Sequence, residues 1–507
     1  MSEFHSRRLL RTPSPPLRRA SLAPSTAVVH KRAILPLVLL LVLVHLSAVL
    51  YTLPLNRVIE LRLCQAHYEL RDPSTIQPDG SIPEKLCKID DVQRRLAWLQ
   101  GTMETTLVVC GMWVFIFTCS PRFVAERWGV KIVLLCNLMP RIFMSAWAML
   151  VGNYPHILPT NAIIAGPFFN VLGGECVFQS TIFTLTSALA SEYVERASYF
   201  SYISSTSYIV SFLGPTLAAF TMNNSPWLPF WLNIALLLCA IPTISLLPSI
   251  SKTPTLSMAP DSIPQDPDEE AGPLLQGRTT RHAEDFETHA SFLQSILHAT
   301  RKMRRLVTGR RKFQILLCSF FLTALASSDT KLLVQYISKR YEWTFAQAGY
   351  MLSAKALVNF TLLAIIVPRI IRNSMSSKTV HGSEVRLNII GAEVSIAVSV
   401  AGVLCVALAF RFWMLLAALI VYALGSALPV FTMSLVKSPL IALAHSDVQD
   451  FSIVMLTKTL GSLVGAPLMT VLWVQAIKLG GIGVGLPYFF SACIYLVAAF
   501  VISRLRN

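Results

Sequence analysis

The run from Ala33 to Leu53 contains no charged residue, and no other feature restricts the folds open to this chain so strongly. It supplies the roughly 20 apolar residues that a helix needs to cross the hydrocarbon core of a bilayer. It is too long for the apolar part of a secretory leader, lacks a small-residue cleavage site and follows a basic arm, so it is expected to remain as a span. Eleven further apolar runs begin near residues 97, 132, 160, 198, 228, 314, 346, 387, 412, 451 and 484. The expected fold is an all-α integral membrane protein with twelve transmembrane helices. Composition agrees, with 54% hydrophobic and 14% charged residues among 507, where soluble domains carry about 25% charged. Eight of the ten cysteines lie in or beside apolar runs without C-x-x-C spacing, which excludes zinc-ribbon and disulfide-scaffold classes. No metal or cofactor is expected.

The net charge of +16 comes from 43 Lys and Arg against 27 Asp and Glu. These cations gather in short stretches outside the apolar runs, which orients helices in a bilayer rather than building a nucleic-acid surface. Residues 1–32 form a disordered basic arm with Arg7, Arg8, Arg11, Arg18, Arg19, Lys31 and Arg32 against the single acid Glu3. Arg122, Arg127 and Lys131 follow the second span, and Arg369, Arg372, Lys378 and Arg386 follow the eighth. The stretch Arg301 to Lys312 has seven basic residues and no acid. With twelve spans all of these fall on one side, and cationic loops are retained in the cytoplasm, so both termini are expected there.

Residues 54–96 break the pattern as a long outer loop with seven basic and seven acidic residues, which gives no retention signal. The remaining cysteines, Cys64 and Cys87, lie in it, on the side that meets an oxidising compartment. A disulfide between them is expected to contribute roughly 3 kcal/mol by the chain-entropy model; two free thiols are the alternative.

The chain divides into a first six-helix half at 33–248, a cytoplasmic linker at 249–311 and a second half at 312–507. The linker passes from Pro/Ser-rich sequence through Asp266, Asp268, Glu269 and Glu270 to the basic block. Its EAGPLL, Glu270 to Leu275, is similar to an acidic dileucine sorting signal, and Ser21 after RRA is similar to a kinase site. The halves contain a repeat. SYIVSFLGPTLAAF in span five and TLGSLVGAPLMTV in span eleven each place a glycine close to a proline, at Gly214 and Pro215 and at Gly461, Gly465 and Pro467. SEYVERAS and HSDVQDFS precede them at nearly the same offset. Duplicated halves are a hallmark of transporters, although small residues also serve close helix packing.

The stretch ERWGVK between spans two and three resembles the D-R-x-G-R-K signature of the major facilitator superfamily, through Glu126, Arg127, Gly129 and Lys131. Glu stands for Asp and Val130 for the second Arg. The resemblance implies a gating loop in which the glycine permits a tight turn and the charges pair with a neighbouring helix as two halves rock. Its counterpart PRIIRNSMSSK keeps Arg369, Arg372 and Lys378. Gly214 and Pro215 resemble the start of a G-P-x-x-G-G element carried in span five by proton-coupled drug exporters, with Ala218 and Ala219 in place of the later glycines. PLNRVIELRLC, YISKRYEWTFAQAGYMLSAKALVN and TKTLGSLVGAPL resemble fungal members of the superfamily.

Ionisable residues inside a span are costly, by roughly 2.5 to 3.5 kcal/mol on insertion scales, and usually face the bundle interior. The candidates for binding protons or substrate are Glu104, Arg141, Glu175, Asp329, Lys355, Glu393 and Lys458. Glu175 ranks first, because Gly173 and Gly174 before it would let a neighbouring helix approach, and Asp329 ranks second. The alternative for both is an ion pair with Arg141, Lys355 or Lys458. Glu104 and Glu393 are placed nearer their helix ends. Lys355 and Lys458 either bind an anionic substrate or balance buried carboxylates. Asp329 and Lys331, two apart, do not face each other and need different partners. His45 reads as a packing histidine rather than a proton relay.

The expected function is secondary active transport of a small organic molecule by alternating access. The proton gradient would drive it, since no P-loop occurs in the chain, and the glycine–proline element favours export of a drug-like or secondary metabolite. Proton-coupled uptake of a nutrient is the alternative. A transporter-like sensor would need a longer cytoplasmic extension than Ser503 to Asn507. An enzyme is not expected, since the only loose histidine group, His282, His289 and His298, lies in the linker. The expected partners are substrate, protons and the lipid bilayer, without nucleic acid, for a monomer. The plasma membrane is the expected location, with EAGPLL pointing instead to a vacuolar or endosomal membrane.

Overall fold

The computed structural model describes residues 24–78, 80–117, 129–189, 193–247, 310–366, 369, 382–436 and 447–505. Most of the basic arm, the linker through residue 309 with EAGPLL, Ser21, and Glu126 and Arg127 of the gating loop lie outside them. Among the described residues the chain is helical without strands. Among those residues, nine helical stretches are long and apolar enough to cross a membrane. Three further helices occupy the positions of the other expected spans: α2 at Asp90–Phe117, α5 at Tyr193–Asn224 and α9 at Phe345–Thr361.

Helix α1, Pro24–Arg71, has 48 residues and is therefore about 72 Å long, more than twice the hydrocarbon thickness. It continues through residues 54–71, where a loop was expected. Several polar side chains of this extension have partners, which lets the helix persist beyond its apolar part. Glu60 accepts hydrogen bonds from Lys88 and Gln93, both at 2.7 Å, and Arg62 donates to the carbonyl of Leu158 at 2.8 Å. Short 3-10 turns at Pro73–Thr75 and Glu84–Cys87 then lead into α2. The structure brings Cys64 and Cys87 together here with Cα atoms 5.4 Å apart and their sulfurs joined.

The rest of the first half comprises α3 (Val130–Asn153), a 3-10 segment (Thr160–Leu172), α4 (Glu175–Leu189), α5 and α6 (Leu228–Leu246). The second half comprises α7 (Arg311–Ala326), α8 (Asp329–Tyr341), α9, α10 (Gly382–Leu408), α11 (Phe412–Leu424), α12 (Leu428–Val436), α13 (Asp447–Leu479) and α14 (Leu486–Ser503). Three expected spans are interrupted. The fourth breaks at Gly173 and Gly174, the seventh at Ser327 and Ser328, and the tenth at the 3-10 turn Gly425–Ala427.

Packing repeats between the halves. Helix α1 packs on α5 and α6, and α7 packs correspondingly on α13 and α14. The halves meet where α2 lies against α13 and α5 against α9. Glycine makes both contacts close. A Cβ on Gly101 of α2 would fall 2.0 Å from the Thr470 hydroxyl, and one on Gly349 of α9 only 3.3 Å from the Pro215 carbonyl. The apolar core is divided along the bundle. One cluster, from Leu50 and Leu63 of α1 to Tyr336, Trp473 and Tyr495, crosses both halves at the end that carries Cys64 and Cys87. Toward the other end each half has its own cluster, one around Leu37, Leu138 and Phe178 and one around Phe313, Leu435 and Val454. Among the described residues the halves therefore share one apolar core at the first end and have separate cores toward the second.

Candidate functional site

A cavity of about 490 Å³ lies at the seam. Its wall includes Ser47 and Tyr51 of α1, Glu104 and Met112 of α2, Arg141 of α3, Glu175 of α4, Lys331 of α8 and Lys458 of α13. Both halves contribute, and four of the seven intramembrane candidates named from the sequence converge here: Glu104, Arg141, Glu175 and Lys458.

Local backbone explains how Glu175 reaches it. The break at Gly173 and Gly174 ends the 3-10 segment and makes Glu175 the first residue of α4, where the helix dipole favours an anion. Glycine makes this crossing close. A Cβ at Gly173 would meet the Asn137 Cα at 2.9 Å, and one at Gly174 the Gly111 Cα at 3.2 Å. Asn137 donates to the Gly174 carbonyl at 2.9 Å and so satisfies the interrupted backbone. Glu175 is 55% exposed, opening onto the cavity, and accepts from Arg141 at 2.5 Å and from Gln179 at 2.8 Å. Arg141 also lies over the Phe178 ring, 5.7 Å from its centroid. His45 lies within electrostatic reach of both Glu175 and Arg141.

The second carboxylate, Glu104, forms an ion pair with Lys331 across the seam. It sits in the middle of α2 rather than near an end, because the helix begins at Asp90, ahead of the apolar run. Asp329 takes a different place from its neighbour Lys331. It is fully buried, outside the cavity lining, and accepts from the Tyr422 hydroxyl at 2.8 Å. Lys355 stands over the Tyr422 ring at 4.3 Å and interacts electrostatically with Asp329. Glu393 is half-buried on α10 and does not line the cavity. The residues not foreseen are uncharged: Asn137, Gln179, and Asn233, which donates to Ser145 at 2.5 Å.

The glycine–proline elements serve close packing. Gly214 lies against Val49 of α1, and Thr216 donates to Ser353 of α9 at 2.8 Å. Gly461 and Gly465 fit α13 onto the interruption of span seven, since a Cβ there would meet the Phe321 carbonyl at 2.5 Å and the Ser328 hydroxyl at 2.3 Å. Of the gating loop, Gly129 has φ +87° at the start of α3, a left-handed conformation suited to glycine. Lys131 donates to the Ser245 carbonyl at 2.8 Å.

At the end carrying Cys64 and Cys87, polar contacts cross between the halves. Lys339 of α8 donates to the Lys88 carbonyl at 2.6 Å and pairs with Asp90 at 2.5 Å. Glu84 accepts from the Phe345 backbone N–H at 2.7 Å, and Gln335 donates to Asn56 at 3.1 Å. Behind them Lys88 pairs with Glu60 and Glu84 at 2.7 and 3.1 Å.

Comparisons with known proteins agree with this architecture. The chain is 26% identical over 489 residues to the MFS efflux pump atnC of Emericella nidulans, covering 95% of this chain and 89% of that one. It is 24% identical over 323 residues to the efflux pump ustT of Aspergillus flavus, covering 62% and 58%. The crystal structure of a D-xylose–proton symporter superposes with a TM-score of 0.56 at 12% identity over 92% of this chain and 96% of that one, a likeness of fold. The description of the Major Facilitator Superfamily matches residues 101–466, and the chain belongs to that superfamily of membrane transporters.

Proposed function

We propose that this chain exports a small organic molecule, loaded from the seam cavity, by alternating access coupled to protons. The observation that carries the reading is the Glu104–Lys331 pair, which ties the halves together across the cavity itself. A proton on Glu104 removes the attraction and frees Lys331, so occupancy of the cavity and the hold between the halves are linked. Glu175 offers a second carboxylate open to the same space. Export is the direction carried by the names of the fungal relatives, two of which are efflux pumps.

In this reading the twelve spans form two six-helix halves at 33–248 and 312–507 with both termini cytoplasmic. The Cys64–Cys87 end is the outer one, closed in this conformation, and the end with separate cores faces the cytoplasm. A disulfide then stands on the oxidising side of the plasma membrane, and the transporter acts as a monomer. The test compares intracellular and extracellular metabolites at two external pH values. The cells carry the parent protein, none, Glu104→Gln or Glu175→Gln. A compound retained inside cells lacking the protein, with pH dependence lost in a Gln variant, is the expected result. Loss of uptake from outside would overturn export, and parent-like behaviour of both variants would overturn the carboxylate mechanism.

A further inference from the structure

Five charged side chains among the described residues line the seam cavity, two carboxylates and three cations: Glu104, Glu175, Arg141, Lys331 and Lys458. Both carboxylates are already matched, Glu104 by Lys331 and Glu175 by Arg141 and Gln179. Lys458 has no ion pair among the described residues. Its place on the wall is set by α13. Met455 and Ser462, three residues before it and four after, lie on the same helical face and line the cavity too. A cation at membrane depth without a counter-ion is costly, and such a residue persists where it meets something.

The rest of the wall describes the remainder of a ligand. Met103, Leu107, Met112, Met144 and Met455 give it an apolar, adaptable surface, because methionine side chains fit irregular shapes. The volume of about 490 Å³ is within the range that encloses a drug-sized molecule.

We propose that Lys458 is the anion-binding residue of the substrate site, and that the transported molecule is an amphipathic monoanion. Its carboxylate meets the Lys458 ammonium, and its apolar body lies on the methionine-rich wall. A single unmatched cation calls for a single negative charge. An amine substrate would instead have to displace Lys331 or Arg141 from its carboxylate. This proposal rests on the reading of the cavity as the transport path.

The experiment measures equilibrium binding of three probes that share one apolar body: 1-naphthylacetate, 1-naphthylacetamide and 2-(1-naphthyl)ethylamine. The full chain is used in lipid nanodiscs, without a proton gradient. The parent is expected to bind the carboxylate at least about tenfold more tightly than either other probe. Lys458→Gln is expected to reduce that preference to within about twofold, and Lys458→Arg to keep it. Equal affinities in the parent, no measurable binding of the carboxylate, or a preference that survives in Lys458→Gln would each overturn the proposal. Because binding is read at rest, failure of proton-driven export in proteoliposomes leaves the result standing. Conversely, efficient export of the amide or amine by a protein without anion preference supports transport and refutes the substrate class.

Discussion

Lys339 provides the most direct test of how the halves are held at the Cys64–Cys87 end. Its ammonium reaches from α8 to the Lys88 carbonyl at 2.6 Å and to Asp90 at 2.5 Å. Lys339→Met removes both contacts while keeping most of the apolar stem. The Asp90 side chain is 65% exposed, so solvent screening limits that pair to at most about 1 kcal/mol. The hydrogen bond to the carbonyl comes from a charged donor at a half-buried position and adds about 1.5 kcal/mol. The closed arrangement should therefore lose about 2 kcal/mol, which raises the open population roughly 30-fold. Phe345 supplies a local reporter, since its backbone N–H is tied to Glu84 across the same seam at 2.7 Å. Hydrogen exchange of a peptide containing Phe345 should accelerate by about that factor, because exchange of a seam amide follows the open population. Lys339→Arg should stay close to the parent. Acceleration below about threefold in Lys339→Met would refute the assignment of this contact as a closure of the seam.

Three further outcomes follow from the same geometry. Glu104→Gln and Lys331→Met, measured singly and together by thermal unfolding, should show a coupling of about 0.5 to 3 kcal/mol; additive effects would mean that the pair across the seam does not hold the halves. Replacing Cys64 and Cys87, 23 residues apart in sequence, by serine should cost about 3 kcal/mol of stability. Reductant should lower the unfolding temperature of the parent and leave the variant unchanged. Gly402→Ala would put a Cβ 2.4 Å from the Tyr422 Cα, a backbone atom that cannot rotate away, so α10 and α11 must separate. A loss of about 1 to 3 kcal/mol is expected, with a lower yield of folded protein as the readout, and parent-like stability would show that the contact relaxes freely.

Legibility in the sequence followed the size of each physical term. The apolar run at Ala33–Leu53 stood out because surrounding it with water is so costly, and the glycines before Glu175 pointed to a close crossing because few residues tolerate one. The separation of Asp329 from Lys331 was readable from helical periodicity, and the structure gives them different partners, Tyr422 and Glu104. Those partners could not be read, because they are set by tertiary packing between distant segments. The polar stretch 54–71 was taken for a loop since Arg57, Glu60, Arg62, Glu69 and Arg71 interrupt its apolar residues too often for a span. Its Arg57 and Glu60 have the three-residue spacing of a helical ion pair, formed at 3.1 Å, and Glu84 and Lys88 the four-residue spacing, formed at 3.1 Å. That spacing was the signal available for an ordered, helix-rich connection. Asn137 and Gln179 gave none, because neutral polar residues are cheap enough to occur in many helices.

The interrupted helices give two intramembrane acids the same local setting and different surroundings. Glu175 and Asp329 each stand at the first residue of a helix that resumes after a break, one following two glycines and the other following two serines. A helix N-terminus presents unpaired amides and a positive dipole end, so it is the position where a carboxylate at membrane depth costs least. The breaks differ in what surrounds them. The glycine break lies close against α2 and α3, and the side chain of Glu175 turns into the cavity, half exposed. The serine break lies under α13, with the Ser328 hydroxyl against Gly465, and Asp329 turns inward to Tyr422 with no exposed surface. The same local solution thus yields a carboxylate open to the cavity in one half and a fixed internal anchor in the other. Movement of the halves about the seam would then change the surroundings of Glu175 and leave those of Asp329 intact.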